Sequence, residues 1–135
     1  AHTLDELLAT SDIVSLHVPV TPETVGLIGA RELGLMQPHA LLVNTSRGAI
    51  VDEIALADAL RVGTIRAAAV DVFTSEPPPP DHPLLKLDNA ICTPHVAGAT
   101  VESLGRMAHE VVEAVLTVLA GGVPSGVVNP EVLGR

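Results

Sequence analysis

Val43-Asn44-Thr45-Ser46-Arg47-Gly48-Ala49-Ile50-Val51-Asp52 joins an apolar run to the start of a helical pattern. The apolar run covers residues 40–43, and the small polar residues, the arginine and the glycine follow it directly. This order predicts a strand, a tight loop at its carboxyl end, and a helix that begins near Asp52. Ligands of open α/β sheets bind at the carboxyl ends of the strands. An arginine there offers a fork of donors to a carboxylate or phosphate, although a surface loop arginine explains Arg47 alone equally well.

Composition limits the classes of protein to which the chain can belong. With 135 residues it is about one domain in size, and its core must be aliphatic because aromatic residues make up 1%. The net charge of −9 argues against a nucleic-acid partner, since such proteins carry basic patches. A single cysteine, Cys92, excludes an internal disulfide and a cysteine-based metal cluster. His2, His39, His82 and His109 show no ligand spacing, and no metal site is predicted.

The hydropathy pattern gives no sign of a membrane protein. The longest apolar stretch, residues 111–120, is short for a membrane span and is interrupted by Glu113. No secretory signal is recognisable, and we therefore expect a cytoplasmic protein without a membrane partner.

Apolar strands and amphipathic helices alternate along the chain. Strands are predicted at residues 12–18, 40–44, 67–72 and 91–93, and a capping box at Thr3 and Glu6 opens the first helix. Gly29 is predicted to cap a helix over 30–36. Asp52 is predicted to cap the next, which Gly63 ends and whose buried face would carry Ile54, Leu56 or Ala57, and Leu60.

The last helix is predicted over residues 101–120, followed by an extended tail at 127–130. Its apolar stripe consists of Val101, Leu104, Ala108, Val111, Val115 and Leu119. Alternation of strands and helices at crossover spacing predicts an α/β fold with a parallel sheet. The chain has no glycine triplet of the dinucleotide-binding fingerprint, so half of such a fold would have to lie elsewhere.

Polar side chains follow each predicted strand and would meet at one edge of a parallel sheet. They are His17, Arg47, Asp71, Glu76 and His95. An arginine can bind a substrate carboxylate through two hydrogen bonds. A glutamate beside a histidine favours the imidazolium, which can give a proton to a carbonyl oxygen or take one from a hydroxyl. The convergence of these groups predicts an active site.

Taken singly, each of these residues has a structural explanation. His17 could be a core histidine and Asp71 could cap a neighbouring loop. Glu76 could be a solvated residue before the prolines, and His95 could anchor its loop. The remaining histidines are predicted to lie on the surface: His2, His39, His82 and His109.

Four motifs in order resemble one known family. They are Asp12-Ile13-Val14-Ser15-Leu16-His17-Val18-Pro19, Leu41-Leu42-Val43-Asn44-Thr45-Ser46-Arg47-Gly48, Asp71-Val72-Phe73-Thr74-Ser75-Glu76-Pro77 and Thr93-Pro94-His95-Val96-Ala97-Gly98. Together with the tail around Val127-Val128-Asn129-Pro130, they resemble the D-isomer-specific 2-hydroxyacid dehydrogenases over essentially all 135 residues. That group includes phosphoglycerate, glyoxylate/hydroxypyruvate and D-lactate dehydrogenases.

The resemblance implies a role for each matching residue. Arg47 would hold the carboxylate and carbonyl of a 2-oxo acid, His95 would be the acid/base, and Glu76 would pair with it. Contacts to NAD, with NADP not excluded, are implied for a larger set: Val18, Thr45, Ser46, Arg47, Asp71, His95, Val96, Ala97 and Gly98.

The resemblance also implies that the chain is the C-terminal part of a Rossmann-type three-layer sandwich. Residues 1–100 would form its sheet-and-helix core, 101–120 an interdomain helix, and 121–135 a tail returning to a substrate domain. A homodimer acting on a small 2-oxo or 2-hydroxy acid is implied. Two other hypotheses stay open. One is a corepressor-like module that senses NAD(H) without turnover. The other is a fragment that is inactive by itself, because closure of two domains completes such sites.

Overall fold

The computed structural model describes residues 3–134, which divide into one unit up to Ala97 and a second from Gly98 onward. The first unit contains α1 (Leu4–Thr10), β1 (Ile13–Leu16), α2 (Ala30–Leu35), β2 (Leu41–Asn44), α3 (Glu53–Val62), β3 (Ala67–Val70) and β4 (Ala90–Cys92). Short 3-10 turns occur at Gly48–Ile50 and Pro83–Lys86. The second unit contains α4 (Val101–Leu119) and a 3-10 turn at Pro130–Gly134.

All strand pairs of the sheet are parallel, in the order β1-β2-β3-β4, as the sequence predicts. The register places Leu16, Asn44, Val70 and Cys92 opposite one another, so all four strands end at the same edge. Each of β1, β2 and β3 is shorter than predicted. His17 and Asp71 therefore lie just beyond their strands, in the loops at that edge.

One face of the sheet packs against helices. The side chains of alternate strand residues, among them Leu42, Ala68 and Val70, are buried beneath α1, α2 and α3, and α2 contacts both of the other helices. The opposite face is partly exposed, at Ile13 and Ile91 most of all. Residues 3–97 thus contain two of the three layers predicted for a Rossmann-type sandwich, the sheet and one helical layer.

The predicted helix boundaries are confirmed where a capping residue specifies them. Thr3 and Glu6 form the capping box of α1, and Gly29 precedes α2. At the start of α3, the Asp52 carboxylate accepts hydrogen bonds from the amides of residues 54 and 55 at 3.1 and 3.0 Å. Gly63 ends α3 in the left-handed conformation, with φ of 75°. The predicted buried face of α3 was wrong at Ile54, which is 60% exposed, because the face turned to the sheet carries Leu56, Ala57, Ala59 and Leu60.

The second unit consists of the predicted long helix and a tail that is less extended than predicted. The hydroxyl of Thr100 accepts from the Ser103 amide at 3.1 Å and so caps α4. The apolar stripe of α4 is solvent-exposed along most of its length. Among residues 3–134, no helix is both long and apolar enough to cross a bilayer.

Candidate active site

The loop that carries Arg47 is shaped by the side chain of Asn44, the last residue of β2. Asn44 is 1% exposed. Its Nδ2 donates to the Arg47 carbonyl at 2.9 Å, and its Oδ1 accepts from the Ser46 amide at 3.1 Å. Sequence reasoning did not assign this role to Asn44; the available signal was a polar residue that ends an apolar strand and can bond its own loop.

The Arg47 loop is also joined to the segment that follows β1. The Ser46 hydroxyl donates to the carbonyl of Val18. The Arg47 guanidinium is exposed, and its Nη1 donates to the Ser46 carbonyl at 2.6 Å. With His17 and two neighbours, these residues line a cleft of about 470 Å³ at the carboxyl edge of the sheet. Thr45 is partly buried in the same loop.

Gly48 allows this loop to touch the segment after β3. A Cβ atom at position 48 would lie 2.1 Å from the carbonyl carbon of Phe73 and 2.2 Å from the amide nitrogen of Thr74. Both atoms belong to the backbone, so they could not move aside cheaply. The close approach brings the chain after Arg47 against the segment that leads to Glu76.

Glu76 and His95 are in direct contact. His95 Nδ1 lies 2.9 Å from Glu76 Oε2, and the amide of Phe73 donates to Glu76 Oε1 at 3.0 Å. The hydrogen bond with His95, then that from Phe73, lowers the pKa of Glu76 against the opposing effect of burial, and the charges of His95 and Arg47 lower it further. The His95 side chain is 48% exposed and its Nε2 has no hydrogen-bond partner within residues 3–134, so a substrate oxygen could reach that atom.

Asp71 holds the loop on which His95 lies. Asp71 is 4% exposed. Its Oδ1 accepts hydrogen bonds from the Thr93 hydroxyl and, at 2.9 Å, from the Val96 amide. Its Oδ2 accepts a hydrogen bond from the Ala97 amide at 2.9 Å. Burial acts to raise the pKa of Asp71, but these hydrogen bonds outweigh it and leave that pKa below its usual value. Oδ2 keeps room for one further donor.

The structure therefore brings together most of the groups predicted at the strand ends. Glu76 and His95 form a pair, and Arg47 is near enough for its charge to act on Glu76. His17 is exposed beside the Ser15 hydroxyl at 2.8 Å, so it is not a core histidine.

The prediction that the other histidines lie on the surface holds for His39 and His109 but was wrong for His82. His82 is buried, because the 3-10 turn after the prolines places its ring against α3. His2 lies outside the described residues.

Comparison with known proteins places these motifs in one family. Residues 1–97 match the family model described as D-isomer specific 2-hydroxyacid dehydrogenase, NAD binding domain. A glyoxylate reductase of Thermofilum pendens is 51% identical over 130 residues, which are 96% of this chain and 38% of that protein. A D-3-phosphoglycerate dehydrogenase of Archaeoglobus fulgidus is 47% identical over 120 residues, which are 89% of this chain and 23% of that protein.

Solved structures agree with the sequence comparison. The NAD-complexed D-isomer specific 2-hydroxyacid dehydrogenase of Lactobacillus delbrueckii ssp. bulgaricus superposes with a TM-score of 0.86 at 35% identity, over 94% of this chain and 43% of that one. The chain thus spans less than half the length of these relatives. It belongs to the D-isomer specific 2-hydroxyacid dehydrogenase family, and its residues 1–97 match the NAD-binding domain of that family.

Proposed function

We propose that the protein containing this chain transfers a hydride between NAD or NADP and C2 of a small 2-oxo or 2-hydroxy acid. The observation that carries the proposal is the 2.9 Å contact between His95 Nδ1 and Glu76 Oε2, at the sheet edge where Arg47 also lies. A cofactor-sensing module that performs no turnover has no need of such an acid/base pair.

Arg47 is the proposed anchor of the substrate. Its guanidinium is exposed at the carboxyl edge and can donate two parallel hydrogen bonds to a planar carboxylate. The buried amide of Asn44 stabilises the loop that presents it. Binding by Arg47 orients the 2-oxo acid and polarises its carbonyl.

His95 is the proposed proton donor and acceptor. Glu76, whose pKa lies below its usual value, stays ionised at neutral pH and orients the His95 ring through Nδ1. Nε2 is then positioned to give its proton to the carbonyl oxygen during reduction, and to take the hydroxyl proton during oxidation.

The residues at this edge fit the nicotinamide end of the cofactor, which when bound supplies or accepts the hydride. The remaining acceptor position on Asp71 Oδ2 suits an amide donor. Ser46 and Val18 line the cleft beside Arg47, and Thr45 lies in the same loop. The segment from Val96 to Gly98 follows His95 and would complete the contact with the nicotinamide. The absence of a glycine triplet from this chain means that the pyrophosphate would be held by other residues.

The second unit is proposed to contact a substrate-binding domain. The exposed apolar stripe of α4 supports this, because a stripe of this kind is normally covered in the assembled protein. The tail at 121–135 is proposed to return to the same domain. A cytoplasmic homodimer is the form that we propose for the whole protein.

The test uses the whole protein and measures NADH and NADPH oxidation with glyoxylate, hydroxypyruvate, pyruvate and 3-phosphohydroxypyruvate. We expect turnover of one or more of these acids, and expect His95→Ala to lower kcat by roughly a hundredfold or more. His39→Ala is the matched control, because His39 also pairs with a carboxylate, that of Asp12 at 2.7 Å, but both residues precede their strands and so lie at the opposite end of the sheet from His95.

Two results would overturn the proposal. One is a His95→Ala variant that retains the wild-type rate. The other is a wild-type protein that turns over none of the acids while NADH alters its binding to another macromolecule, since that is the behaviour of a cofactor sensor.

A further inference from the structure

Glu53 and His82 form a largely buried, hydrogen-bonded pair that lies outside the candidate active site. Glu53, in the first turn of α3, and His82, before the 3-10 turn that precedes β4, approach within 3.0 Å between Oε2 and Nε2. Their side chains are 14% and 9% exposed. Burying such a pair costs free energy unless further hydrogen bonds satisfy both partners. The other hydrogen bonds of Glu53 and His82 therefore indicate the role of the pair.

The contacts of His82 set its tautomer and its orientation. Nδ1 accepts from the Leu84 amide at 3.4 Å, so the ring hydrogen of a neutral imidazole lies on Nε2, which donates to Glu53. The ring also meets Phe73 edge to face, with centroids 5.3 Å apart and an interplanar angle of 83°. His82 thereby fixes one oxygen of the Glu53 carboxylate.

The other oxygen of Glu53 holds the backbone that leads to the candidate active site. Oε1 accepts from the Thr74 amide at 2.6 Å. Thr74 follows Phe73, whose own amide donates to Glu76 Oε1 at 3.0 Å. The peptide between Phe73 and Thr74 is therefore bound by Glu53 and also closely approached by Gly48.

We propose that Glu53, oriented by His82, is a positioning residue that holds the Phe73–Thr74 peptide and thereby directs the Glu76 carboxylate toward His95. The segment formed by Thr74, Ser75 and Glu76 is exposed, so burial does not hold it in place. Its position therefore depends on its hydrogen bonds. The proposal rests on the proposed function for its effect on turnover. Its effect on Glu76 can be measured without turnover.

The test compares Glu53→Ala with Asp58→Asn in the whole protein. Asp58 is the matched control, because it lies on the same helix but forms an exposed pair with Arg61. We expect Glu53→Ala to lower kcat roughly ten- to a hundredfold, since small misplacements of catalytic groups have costs of that size. We also expect a larger solvent deuterium isotope effect, because proton transfer becomes slower relative to the other steps.

A second readout is the pKa of Glu76, followed by NMR titration of its carboxyl carbon. The hydrogen bonds of Glu76 with His95 and with the Phe73 amide both lower that pKa. Glu53→Ala should weaken both of these hydrogen bonds, whereas the charge of Arg47 stays the same. The pKa of Glu76 should therefore rise in Glu53→Ala and stay at its wild-type value in Asp58→Asn. Glu53→Gln keeps an acceptor for Thr74 and should lie closer to wild type.

These measurements separate a positioning role from a purely structural one. A smaller folded fraction lowers the rate but leaves the isotope effect and the Glu76 titration unchanged, and that result would overturn the proposal. If Glu53→Ala does not fold, Glu53→Asp provides the same test, because the shorter side chain cannot reach Thr74 and His82 together. A wild-type protein without turnover refutes the proposed function alone, since the titration still decides the role of Glu53.

Discussion

The amide of His95 donates to the carbonyl of Asp71 at 2.8 Å, and His95 adopts a φ of 56°. Residues other than glycine rarely occupy this left-handed region. The carboxylate of Asp71 also accepts hydrogen bonds from the next two amides, so one aspartate just after β3 holds three consecutive residues of the loop. The unusual backbone of His95 is thus maintained by Asp71.

Asp71→Asn should destabilise the protein by about 3 kcal/mol, because replacing one carboxylate oxygen by an amide leaves buried donors unsatisfied. Its kcat should fall as well, since the His95 loop loses its anchor. Urea denaturation and steady-state kinetics measure the two effects. Asp88→Asn, at an exposed position, serves as the control. A urea midpoint for Asp71→Asn equal to that of wild type would contradict the role assigned to the carboxylate.

Gly48→Ala should cost about 3 kcal/mol or more, because the new Cβ would overlap the backbone of Phe73 and Thr74. Gly34→Ala, in the same unit, should have the opposite effect on stability. Gly34 lies inside α2, and a Cβ atom at that position would have no neighbouring atom within 4 Å, so alanine there should stabilise by up to about 1 kcal/mol through helix propensity. Thermal or urea unfolding compares the two. Equal effects of both changes would show that position 48 is not sterically special.

Arg47→Lys should lower kcat/KM for the 2-oxo acid by roughly a hundredfold, since a lysine cannot form the paired hydrogen bonds of a guanidinium. Arg61→Lys, an exposed arginine that pairs with Asp58, should leave the kinetics unchanged. Steady-state rates over a range of substrate concentrations provide the measurement. An unaltered kcat/KM in Arg47→Lys would place the substrate carboxylate elsewhere.

Stability should fall in acid. The folded protein holds the pKa values of Asp71 and Glu76 below their usual values, so the unfolded chain binds protons more readily than the folded one as the pH falls. The stabilisation is complete above the unfolded pKa values, about 4, and is lost as the pH falls through the folded ones. Urea midpoints measured across this range should decrease toward low pH. Glu76→Gln should flatten that dependence, and an unchanged slope would argue against the assigned shift.

Local chemistry allowed several features to be predicted from the sequence. Helix starts at Thr3 and Asp52 and the helix end at Gly63 depend on side chains or backbone freedom within a few residues. The parallel sheet follows from the alternation of apolar strands and helices. The convergence of Arg47, Glu76 and His95 follows from that topology, because parallel strands end at one edge.

By itself, then, the sequence determined the order of the elements, their caps, the parallel sheet and the family motifs, since each depends on short-range patterns. Only the tertiary structure decided that His82 is buried against Glu53, that Ile54 is exposed, and that Gly48 touches the chain after Phe73. Each of these joins residues more than twenty positions apart, or depends on which helix face meets the sheet. Such contacts arise from packing between elements, which no local pattern encodes.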